Sequence, residues 1–256
     1  MTGFDFTDKK VLISGGSKGI GAITALTFAK AGADVCIIGR NHDDLIKVQD
    51  AILETSRKCK IIQQDISSWD GAQSAAKKAL YYSDHWDILV NNAGIAIQSP
   101  ILDIHPQNWS KTFSVNLEAV VAIAQIIVPQ MIARKYGKIV NVSSMGAFFG
   151  TPGLAGYAAS KAALNQLTRT MAVEWGKYNI QVNAVCPTIV LTELGEKFWN
   201  DPNRIKQREA KENRIPLHRF VQPQEVAETI LYLASSAADF LTGVSLPLDG
   251  GMQVAP

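Results

Sequence analysis

The chain has 256 residues, of which 47% are hydrophobic and 19% are charged, and its formal net charge is +2 at pH 7. This composition is typical of a soluble folded protein and excludes a disordered one, while the small charge, without basic runs interleaved with aromatic residues, disfavours nucleic-acid binding. A chain of this length can bury a substantial core in one large α/β domain.

We expect a cytoplasmic protein with no membrane partner and no metal site. Residues 1–6 contain no basic leader followed by an apolar core, so no secretory signal is visible. The most apolar stretch, residues 119–128, is interrupted by Gln125 and is too short to cross a bilayer. The cysteines have no metal-ligand spacing, and packing roles in a reducing compartment suit all three of them: Cys36, Cys59 and Cys186.

Short β-branched runs alternate with helical stretches along the chain. We predict strands over residues 10–14, 34–38, 60–64, 87–91, 138–143, 180–185 and 244–248. We predict helices over about residues 19–31, 43–55, 71–83, 107–135, 156–178 and 223–234. Strands this apolar are buried on both faces, as in a parallel sheet covered by helices. The fold class is therefore α/β: a single Rossmann-like, doubly wound domain over residues 1–256, with a seven-stranded parallel sheet and helices on both faces.

A glycine-rich turn follows the first predicted strand and leads directly into a helix. Glycines permit such a turn and let backbone N–H groups approach a pyrophosphate at the helix N-terminus. The turn can be purely structural, but at the first β-α junction of this fold we expect it to bind a dinucleotide. Its sequence is Ser14-Gly15-Gly16-Ser17-Lys18-Gly19-Ile20-Gly21.

The end of the second predicted strand indicates which nucleotide binds. A carboxylate there bonds the ribose 2′-hydroxyl of NAD, whereas a nearby arginine accommodates the 2′-phosphate of NADP. This chain has Gly39 followed by Arg40, whose planar guanidinium suits a phosphate, and Lys18 adds a second cation. Either cation alone can be an ordinary surface charge. Together they favour NADP(H) over NAD(H), although Asp43 and Asp44 on the following helix favour NAD.

Polar residues also mark the fourth and fifth predicted strands. The fourth ends in Asn91-Asn92-Ala93-Gly94, which can contact a cofactor or form a plain turn. Asn116 stands inside the next predicted helix, where asparagine is a poor helix former and therefore requires a reason. Ser144 follows the fifth strand.

Tyr157 and Lys161 lie four residues apart on the helix after the fifth strand. Residues at this spacing share one helix face, so the ammonium can reach the phenol. A phenol titrates near pH ~10, and a fixed positive charge favours the phenolate and lowers that pKa. The pair is typical of a general acid/base for interconverting a hydroxyl and a carbonyl. The alternative is an aromatic core residue beside a solvated lysine, because chance alone can supply this spacing.

A long, polar and charged segment over residues 193–214 interrupts the regular pattern. It follows the sixth strand, on the side where such sheets bind ligands. It is either a solvated helical insertion or a mobile lid over the substrate, and we place the predicted lid at about residues 190–215.

Together these motifs resemble the short-chain dehydrogenase/reductase family, from the glycine turn to Leu248-Asp249-Gly250-Gly251. The resemblance implies that Tyr157 is the catalytic acid/base and that Lys161 lowers its pKa and binds the nicotinamide ribose. It implies that Ser144 orients and polarises the carbonyl. It also implies that Asn116 holds a water in a proton relay from Lys161 to solvent.

The same resemblance implies further cofactor contacts. Asp65, which ends the third strand, would touch the adenine, and Asn91 would contact the adjoining ribose. Many family members have Pro-Gly after the sixth strand, where this chain has Pro187-Thr188. Ile189 would still contact the nicotinamide, as would Thr192. The complete set of expected cofactor contacts is Gly15, Ser17, Lys18, Gly19, Ile20, Gly21, Arg40, Asp65, Asn91, Ala93, Gly94, Tyr157, Lys161, Pro187, Ile189 and Thr192.

The last quarter of the chain resembles the branch of xylulose reductases and tetrameric carbonyl reductases. This match favours a keto-sugar or a small dicarbonyl compound as the substrate, and the family resemblance implies a homotetramer. The residues that carry it are Pro187-Thr188, Thr192, Leu194-Gly195, Trp199, Asp201-Pro202, Arg214-Ile215-Pro216-Leu217 and Leu246-Pro247-Leu248-Asp249-Gly250-Gly251.

We therefore expect an NADP(H)-dependent oxidoreductase that transfers a hydride between nicotinamide and a ketone or alcohol. A 3-oxoacyl-thioester reductase is the alternative within enzymes, since Arg204, Lys206 and Arg208 could meet an acyl carrier, although the polar lid favours a hydrophilic substrate. A non-catalytic NADP-binding regulator is the alternative from another class. That alternative predicts a missing catalytic side chain, and all four are present.

Overall fold

Seven parallel strands form the centre of the computed structural model, which describes residues 3–255 without the side chain of Leu194. Met1, Thr2 and Pro256, which the predicted domain includes, lie outside the described residues. The strands are β1 (Lys10–Ser14), β2 (Asp34–Gly39), β3 (Cys59–Gln63), β4 (Ile88–Asn91), β5 (Gly137–Val142), β6 (Ile180–Pro187) and β7 (Ser245–Leu248). Their order in the sheet is β3-β2-β1-β4-β5-β6-β7. The order reverses between β1 and β4, so the carboxyl ends of these two strands border the crevice where such sheets bind ligands.

Helices cover both faces of the sheet, which confirms the predicted single Rossmann-like domain. Over residues 3–255 the α-helices are α1 (Gly19–Lys30), α2 (His42–Leu53), α3 (Trp69–Tyr82), α4 (Pro106–Phe113), α5 (Ala119–Arg134), α6 (Ala155–Trp175), α7 (Glu193–Trp199), α8 (Ile205–Glu212) and α9 (Pro223–Ala234). Buried side chains of α3, α5 and α6 form the core on one face. Those of α1, α2 and α9 form the core on the other.

The strands are apolar throughout because each of them is buried on both faces. In β1, Leu12 belongs to one core, while Val11 and Ile13 belong to the other. Successive side chains of a strand point to opposite faces, so an uninterrupted apolar run is what a two-sided sheet requires.

The predicted elements differ from the observed ones mainly at their ends. β6 continues to Pro187 instead of ending at residue 185, because its carboxyl end pairs with Leu248 of β7. α6 ends at Trp175 instead of residue 178, where a 3₁₀ turn over Gly176–Tyr178 follows. The helix predicted over residues 107–135 is continuous, but α4 and α5 are joined by a π-helical segment over Ser114–Glu118.

The helical path from Pro106 to Arg134 is long and apolar enough, by length and composition alone, to cross a membrane. It is longer than the apolar stretch over residues 119–128 on which the sequence argument rested. However, 56% of its most apolar window is buried inside the protein, and α5 contributes buried residues to the core beside α3. Core packing therefore accounts for its apolar character.

Ion pairs gather at the amino end of the sheet. Lys138, near the start of β5, is only 2% exposed, and its Nζ lies 2.6 Å from Asp239 Oδ1. The Arg134 guanidinium pairs with the buried Asp87 carboxylate, which also accepts a 2.9 Å hydrogen bond from the backbone N–H of Lys10. Each of these buried charges therefore has an opposite charge beside it.

The segment predicted as a lid folds into α7, a short 3₁₀ turn over Pro202–Arg204, and α8. Trp199 anchors it, with its ring centroid 5.2 Å from that of Phe220. The Arg204 guanidinium carbon lies 3.8 Å from the centroid of the Phe198 ring. α8 contributes no buried residue, so the outer half of the segment has little apolar attachment to the domain.

Candidate active site

The glycine-rich turn bends sharply between β1 and α1. Gly15 and Gly19 have φ angles of +68° and +55°, in the left-handed region that glycine adopts without steric cost. Lys18, the N-cap residue of α1, provides no side-chain hydrogen bond to the helix. The first backbone N–H groups of α1 therefore remain available, as an anion-binding helix terminus requires.

Packing, and not ligand contact, accounts for Gly21. A Cβ atom at this position would lie 2.2 Å from the carbonyl oxygen of Gly15 and 2.4 Å from Asn92 Nδ2. The Asn92 amide donates to the carbonyl oxygens of Ser14 at 3.1 Å and Gly15 at 2.9 Å. Asn92 therefore ties the turn to the end of β4, and only glycine leaves room for this contact.

A cavity of about 320 Å³ opens beside the glycine turn, and we call it the turn cavity. It lies at the carboxyl ends of β1, β2 and β4, where the topology predicts a ligand. It brings together nine of the residues expected to contact the cofactor: Gly15, Ser17, Lys18, Ile20, Arg40, Asp65, Ala93, Gly94 and Thr192. It also contains residues that were not predicted to contact the cofactor, among them Gln64, Ile66 and Val115.

The two cations that favour NADP both line this cavity, but only one of them forms an ion pair. Lys18 Nζ lies 2.9 Å from Asp44 Oδ2. The exposed Arg40 guanidinium has no carboxylate within ion-pair distance over residues 3–255. Its positive charge nevertheless helps to lower the pKa of Asp65, after the larger effect of hydrogen bonding from the Ser67 backbone.

The structure places Asn91 differently from the sequence expectation. Asn91 is the last residue of β4 and is 2% exposed, and its Nδ2 donates to Asn141 Oδ1 at 2.9 Å on the neighbouring strand. Its side chain therefore lies within the sheet and not in the turn cavity. The next residue, Asn92, is the asparagine that lines the cavity.

A second cavity of about 240 Å³ contains the catalytic candidates, and we call it the tyrosine cavity. Ser144, Tyr157 and Lys161 line it together with Pro187 and Thr188. The two cavities share Ile20, Asn92, Gly94 and Ile95 in their walls. One elongated site therefore runs from Arg40 at the end of β2 to Tyr157 on α6.

Lys161 is 3% exposed, and its ammonium donates a hydrogen bond to the carbonyl oxygen of Val142, 2.7 Å away. Burial lowers the pKa of Lys161 from 10.5 to about 8, an effect that the nearby Cys186 thiol opposes. Desolvation disfavours the charged form of an amine, and no carboxylate within ion-pair distance compensates for it over residues 3–255.

The pKa of Tyr157 differs in direction from the expectation. Burial raises it above its ordinary value, whereas a hydrogen bond with Ser144 lowers it and the Cys186 thiol raises it further. Lys161 Nζ lies 5.8 Å from the centroid of the tyrosine ring, held instead by the carbonyl of Val142. Desolvation of the phenol is therefore the largest effect on its pKa in this arrangement, and the phenol is protonated at neutral pH.

Asn116 lies in the π-helical segment, which explains why an asparagine is accommodated within a helical path. It is fully buried, and its Oδ1 accepts from the backbone N–H of Ile95 at 2.8 Å. Its Nδ2 donates to the Ile95 carbonyl at 3.0 Å and to Ser160 Oγ at 2.9 Å. Ser160 in turn donates to the Tyr157 carbonyl at 2.7 Å, so Asn116 ties the loop after β4 to the first turn of α6.

Ser160 and Cys186 are site residues that the sequence argument missed. Ser160 stands three residues after Tyr157, a spacing that places it on the neighbouring helical position and could have signalled its contact. Cys186 is buried and precedes Pro187, which lines the tyrosine cavity, and its Sγ lies 3.7 Å from Asn165 Oδ1. Burial raises the pKa of this thiol to about 11. No sequence spacing indicated that Cys186 lies near Lys161.

The predicted cofactor contacts at the end of β6 and after it lie in three different places. Pro187 lines the tyrosine cavity, and Thr192 lines the turn cavity, where its side chain also caps α7 by accepting from the Gly195 N–H at 3.2 Å. Ile189 instead packs in an apolar cluster with Ile215 and Phe220, which Trp199 of α7 also contacts. Its side chain therefore does not line either cavity, contrary to the expectation for this position.

These features fit a nicotinamide dinucleotide. Left-handed glycines and an uncapped helix N-terminus suit the pyrophosphate, and Arg40 and Lys18 provide positive charge at one end of the elongated site. Tyr157 and Lys161 stand at the other end, in the adjoining cavity. The residues can therefore hold a long ligand with an anionic centre and a reactive end beside a phenol.

Similarity to characterised proteins extends over nearly the whole chain. Residues 15–253 match a family model described as enoyl-(acyl carrier protein) reductase. An L-xylulose reductase of Caenorhabditis elegans is 39% identical, covering 97% of this chain and 97% of that protein. A 3-oxoacyl-[acyl-carrier-protein] reductase of Thermotoga maritima is 38% identical, covering 96% of this chain and 98% of that protein.

Solved structures share the same fold. A gluconate 5-dehydrogenase of Burkholderia cenocepacia in complex with NADP and tartrate has a TM-score of 0.91 and 32% identity, covering 100% of this chain and 99% of that one. A xylitol dehydrogenase bound to NAD⁺ has a TM-score of 0.90 and 26% identity, covering 96% of this chain and 99% of that one. Structural relatives with NADP and with NAD⁺ are thus both known.

Proposed function

The chain belongs to the short-chain dehydrogenase/reductase family, oxidoreductases that act on alcohol and carbonyl groups, and on that basis we propose that it is an NADP(H)-dependent reductase of a keto-sugar or a small dicarbonyl compound. One observation carries this proposal. Ser144, Tyr157 and Lys161 line a cavity that adjoins the one containing Lys18 and Arg40. A phenol, a hydroxyl and an ammonium beside a dinucleotide-shaped site form the constellation that carbonyl reduction needs.

Tyr157 is the proton donor in this proposal. The nicotinamide, when bound, supplies the hydride. As a carbonyl is reduced, negative charge grows on its oxygen, and the hydroxyl groups of Ser144 and Tyr157 donate hydrogen bonds to that oxygen. Tyr157 then delivers its proton. The raised pKa of Tyr157 supports this role, because it keeps the phenol protonated at neutral pH.

Lys161 stabilises the phenolate that proton delivery leaves behind. Its ammonium lies 5.8 Å from the ring centroid, in a buried setting where electrostatic interactions are stronger than in water. We also propose that Lys161 binds the nicotinamide ribose. Asn116 is proposed to hold a water that links Lys161 to solvent. Because both Nδ2 hydrogens are already donated, this water would bond to an oxygen of Asn116.

A small polar substrate suits the tyrosine cavity. Its volume of about 240 Å³ is below the ~300 Å³ at which sites for drug-sized ligands begin. Ser144, Thr188 and Asn92 bring polar groups to its wall. The polar segment over residues 193–214 is proposed to act as the lid, with its outer helix α8 moving over the bound substrate. The L-xylulose reductase relative supports a keto-sugar within this class.

A 3-oxoacyl-thioester reductase is the second candidate, supported by the Thermotoga maritima relative. The lid weakens it. Of the basic residues that could meet an acyl carrier, Arg204 stacks on Phe198, and Arg208 is 2.9 Å from the carboxylate of Glu212. Lys206, the third of these residues, is exposed and has no ion pair over residues 3–255. Two of the three basic residues are therefore engaged by other side chains of the same segment.

NADPH oxidation by the purified enzyme tests the substrate class. L-xylulose, diacetyl and acetoacetyl-CoA would be compared as acceptors at equal concentration. We expect the highest kcat/KM for L-xylulose or diacetyl. A clear preference for acetoacetyl-CoA would replace the proposal by its alternative, and no turnover of any carbonyl compound, with the cofactor bound, would favour a regulator.

Cofactor choice is tested by replacing the two cations. The Lys18→Ala/Arg40→Ala variant should raise the KM for NADPH about tenfold or more and change the KM for NADH little, since hydrogen bonds to a phosphate are charge-assisted. Lys47→Ala, which removes an exposed cation of α2 that does not line the turn cavity, is the matched control. Equal effects of the double variant on both cofactors would contradict the assignment of NADP(H).

The proposal extends to assembly and compartment. The isolated chain exposes large apolar side chains, including Leu102 at 95% and Phe240 at 103%, which supports burial by further subunits. We propose a homotetramer with dihedral symmetry, which light scattering would detect as four chain masses. Cys36, Cys59 and Cys186 are free and buried, as suits the reducing cytoplasm.

A further inference from the structure

The ammonium of Lys18 carries a counterion of its own. Its Nζ lies 2.9 Å from Asp44 Oδ2, and the two side chains differ in exposure, 71% for Lys18 and 14% for Asp44. The hydrogen bond and charge of Asp44, with a smaller contribution from the charge of Glu193, raise the pKa of Lys18. Lys18 therefore enters any ligand contact already neutralised.

Asp44 is held in place by its helix. It lies in the first turn of α2, where its backbone N–H donates to the N-cap side chain, Asn41 Oδ1, at 3.0 Å. A carboxylate in this turn is also favoured by the helix dipole. Lys18, in contrast, is a long side chain on an exposed turn, so it is the mobile partner.

We infer that Asp44 is a cofactor-specificity residue, which competes with the 2′-phosphate of NADPH for the Lys18 ammonium and thereby limits the preference for NADPH over NADH. The inference rests on the proposed NADP(H)-dependent function. A phosphate oxygen bonded to Lys18 at ~2.8 Å would come within about 6 Å of the Asp44 carboxylate, given the observed 2.9 Å pair. Two like charges so close repel each other.

NADH does not encounter this conflict. It carries a hydroxyl in place of the phosphate, and a carboxylate near that position accepts its hydrogen bond. Arg40 has no carboxylate within ion-pair distance over residues 3–255 and stays available to the phosphate. The structure thus combines one free cation with one neutralised cation, which is a compromise between the two cofactors.

The chain offers a matched control in the neighbouring residue. Asp43 lies in the same turn of α2, but its side chain is 91% exposed and approaches only His42, at 4.0 Å. Asp43→Asn and Asp44→Asn change the net charge equally and disturb the helix dipole similarly. Only Asp44→Asn removes the ion pair with Lys18.

Fluorescence titration in the absence of substrate would give the Kd of NADPH and of NADH for wild type, Asp44→Asn, Asp43→Asn, Lys18→Met and Lys18→Met/Asp44→Asn. Asp44→Asn should lower the Kd for NADPH about fivefold, the upper range for an exposed ion pair, without lowering that for NADH. Asp43→Asn should match wild type. Asp44→Asn should improve NADPH binding less once Lys18 is replaced, because only the direct repulsion between the carboxylate and the phosphate is then relieved.

Two outcomes would overturn the inference: an Asp44→Asn variant that matches Asp43→Asn, or one that gains equally for both cofactors. The Arg40→Ala variant separates this failure from failure of the proposed function. If Arg40→Ala weakens NADPH binding while Asp44→Asn changes nothing, only the inference falls. If wild type prefers NADH and Arg40→Ala has no effect, the NADP(H) assignment falls, while a shift of the Kd ratio by Asp44→Asn would still support the competition.

Discussion

Two buried lysines lie at opposite ends of β5, and the protein treats their charges differently. At the amino end, Lys138 is 2% exposed and pairs with Asp239 at 2.6 Å. At the carboxyl end, Lys161 is 3% exposed, and its ammonium donates to the carbonyl of Val142. Over residues 3–255 no carboxylate lies within ion-pair distance of Lys161.

We interpret the difference as one between a structural lysine, Lys138, and a lysine with the proposed catalytic role, Lys161. Burial lowers the pKa of Lys161 from 10.5 to about 8, which corresponds to about 3 kcal/mol of destabilisation at neutral pH. A neighbouring carboxylate would remove that cost, but in the proposed mechanism it would also neutralise the positive charge that stabilises the phenolate of Tyr157. We therefore interpret the unpaired charge of Lys161 as stability given up for the proposed reaction.

Tyr157→Phe tests the candidate active site at the carboxyl end of the sheet, and we expect it to have the largest effect. Removing the phenol hydroxyl should lower kcat by about 1,000-fold, in the range of general acid catalysis, because the proposed mechanism assigns proton delivery to this group. The melting temperature and the Kd for NADPH should stay near wild type, since the ring remains. Steady-state kinetics, calorimetry and fluorescence titration would measure these quantities. Tyr81→Phe, at a side chain that is 88% exposed, is the control, and near-normal turnover of Tyr157→Phe would refute its assigned role.

The free energy of unfolding should depend on pH because the pKa of Lys161 differs between the folded and the unfolded chain. Below pH 8 Lys161 is protonated in both the folded and the unfolded chain, so the burial cost is fully present. Between about pH 8 and pH 10.5 the folded chain loses this proton while the unfolded chain keeps it, so the free energy of unfolding gains about 3 kcal/mol from this residue. Urea denaturation of wild type and Lys161→Met over this range would measure it. Identical pH profiles of the two proteins would show that Lys161 titrates normally.

Asp239→Asn leaves Lys138, like Lys161, without a carboxylate partner, and we expect it to have the smallest effect of these changes. Lys138 would stay buried without a counterion, and we expect a loss of about 1–2 kcal/mol, less than for a fully buried pair because Asp239 is 66% exposed. Urea denaturation would measure the loss, with kcat unchanged. Lys138→Met/Asp239→Asn should recover the stability, and a single variant as stable as wild type would mean that the pair contributes nothing.

Sequence reasoning was most successful where local spacing determines geometry. The seven strands and the helices between them were predicted because a two-sided parallel sheet makes every strand apolar. Tyr157 and Lys161 line one cavity because residues i and i+4 share a helix face, and the glycine turn lies beside the other cavity because it ends β1.

The rest depended on contacts between distant segments. Asn91 and Asn92 are adjacent, yet Asn91 pairs with β5 and Asn92 does not. The point at which β4 ends decides this, and the sequence does not show that point. The π-helical segment that positions Asn116 has no sequence signature, and Lys18 meets Asp44 only after β2 has brought α2 beside the glycine turn. The pKa of Tyr157 depends on burial, which the spacing to Lys161 could not reveal.

The most direct test of the distinction between the two lysines is Lys161→Met, with kcat and the free energy of unfolding measured together at pH 7. The substitution keeps the length of the side chain and removes its uncompensated charge. We predict a loss of turnover of at least about 100-fold, together with a free energy of unfolding equal to or higher than that of wild type. A variant that is markedly less stable than wild type would contradict the account, as would one that retains normal turnover.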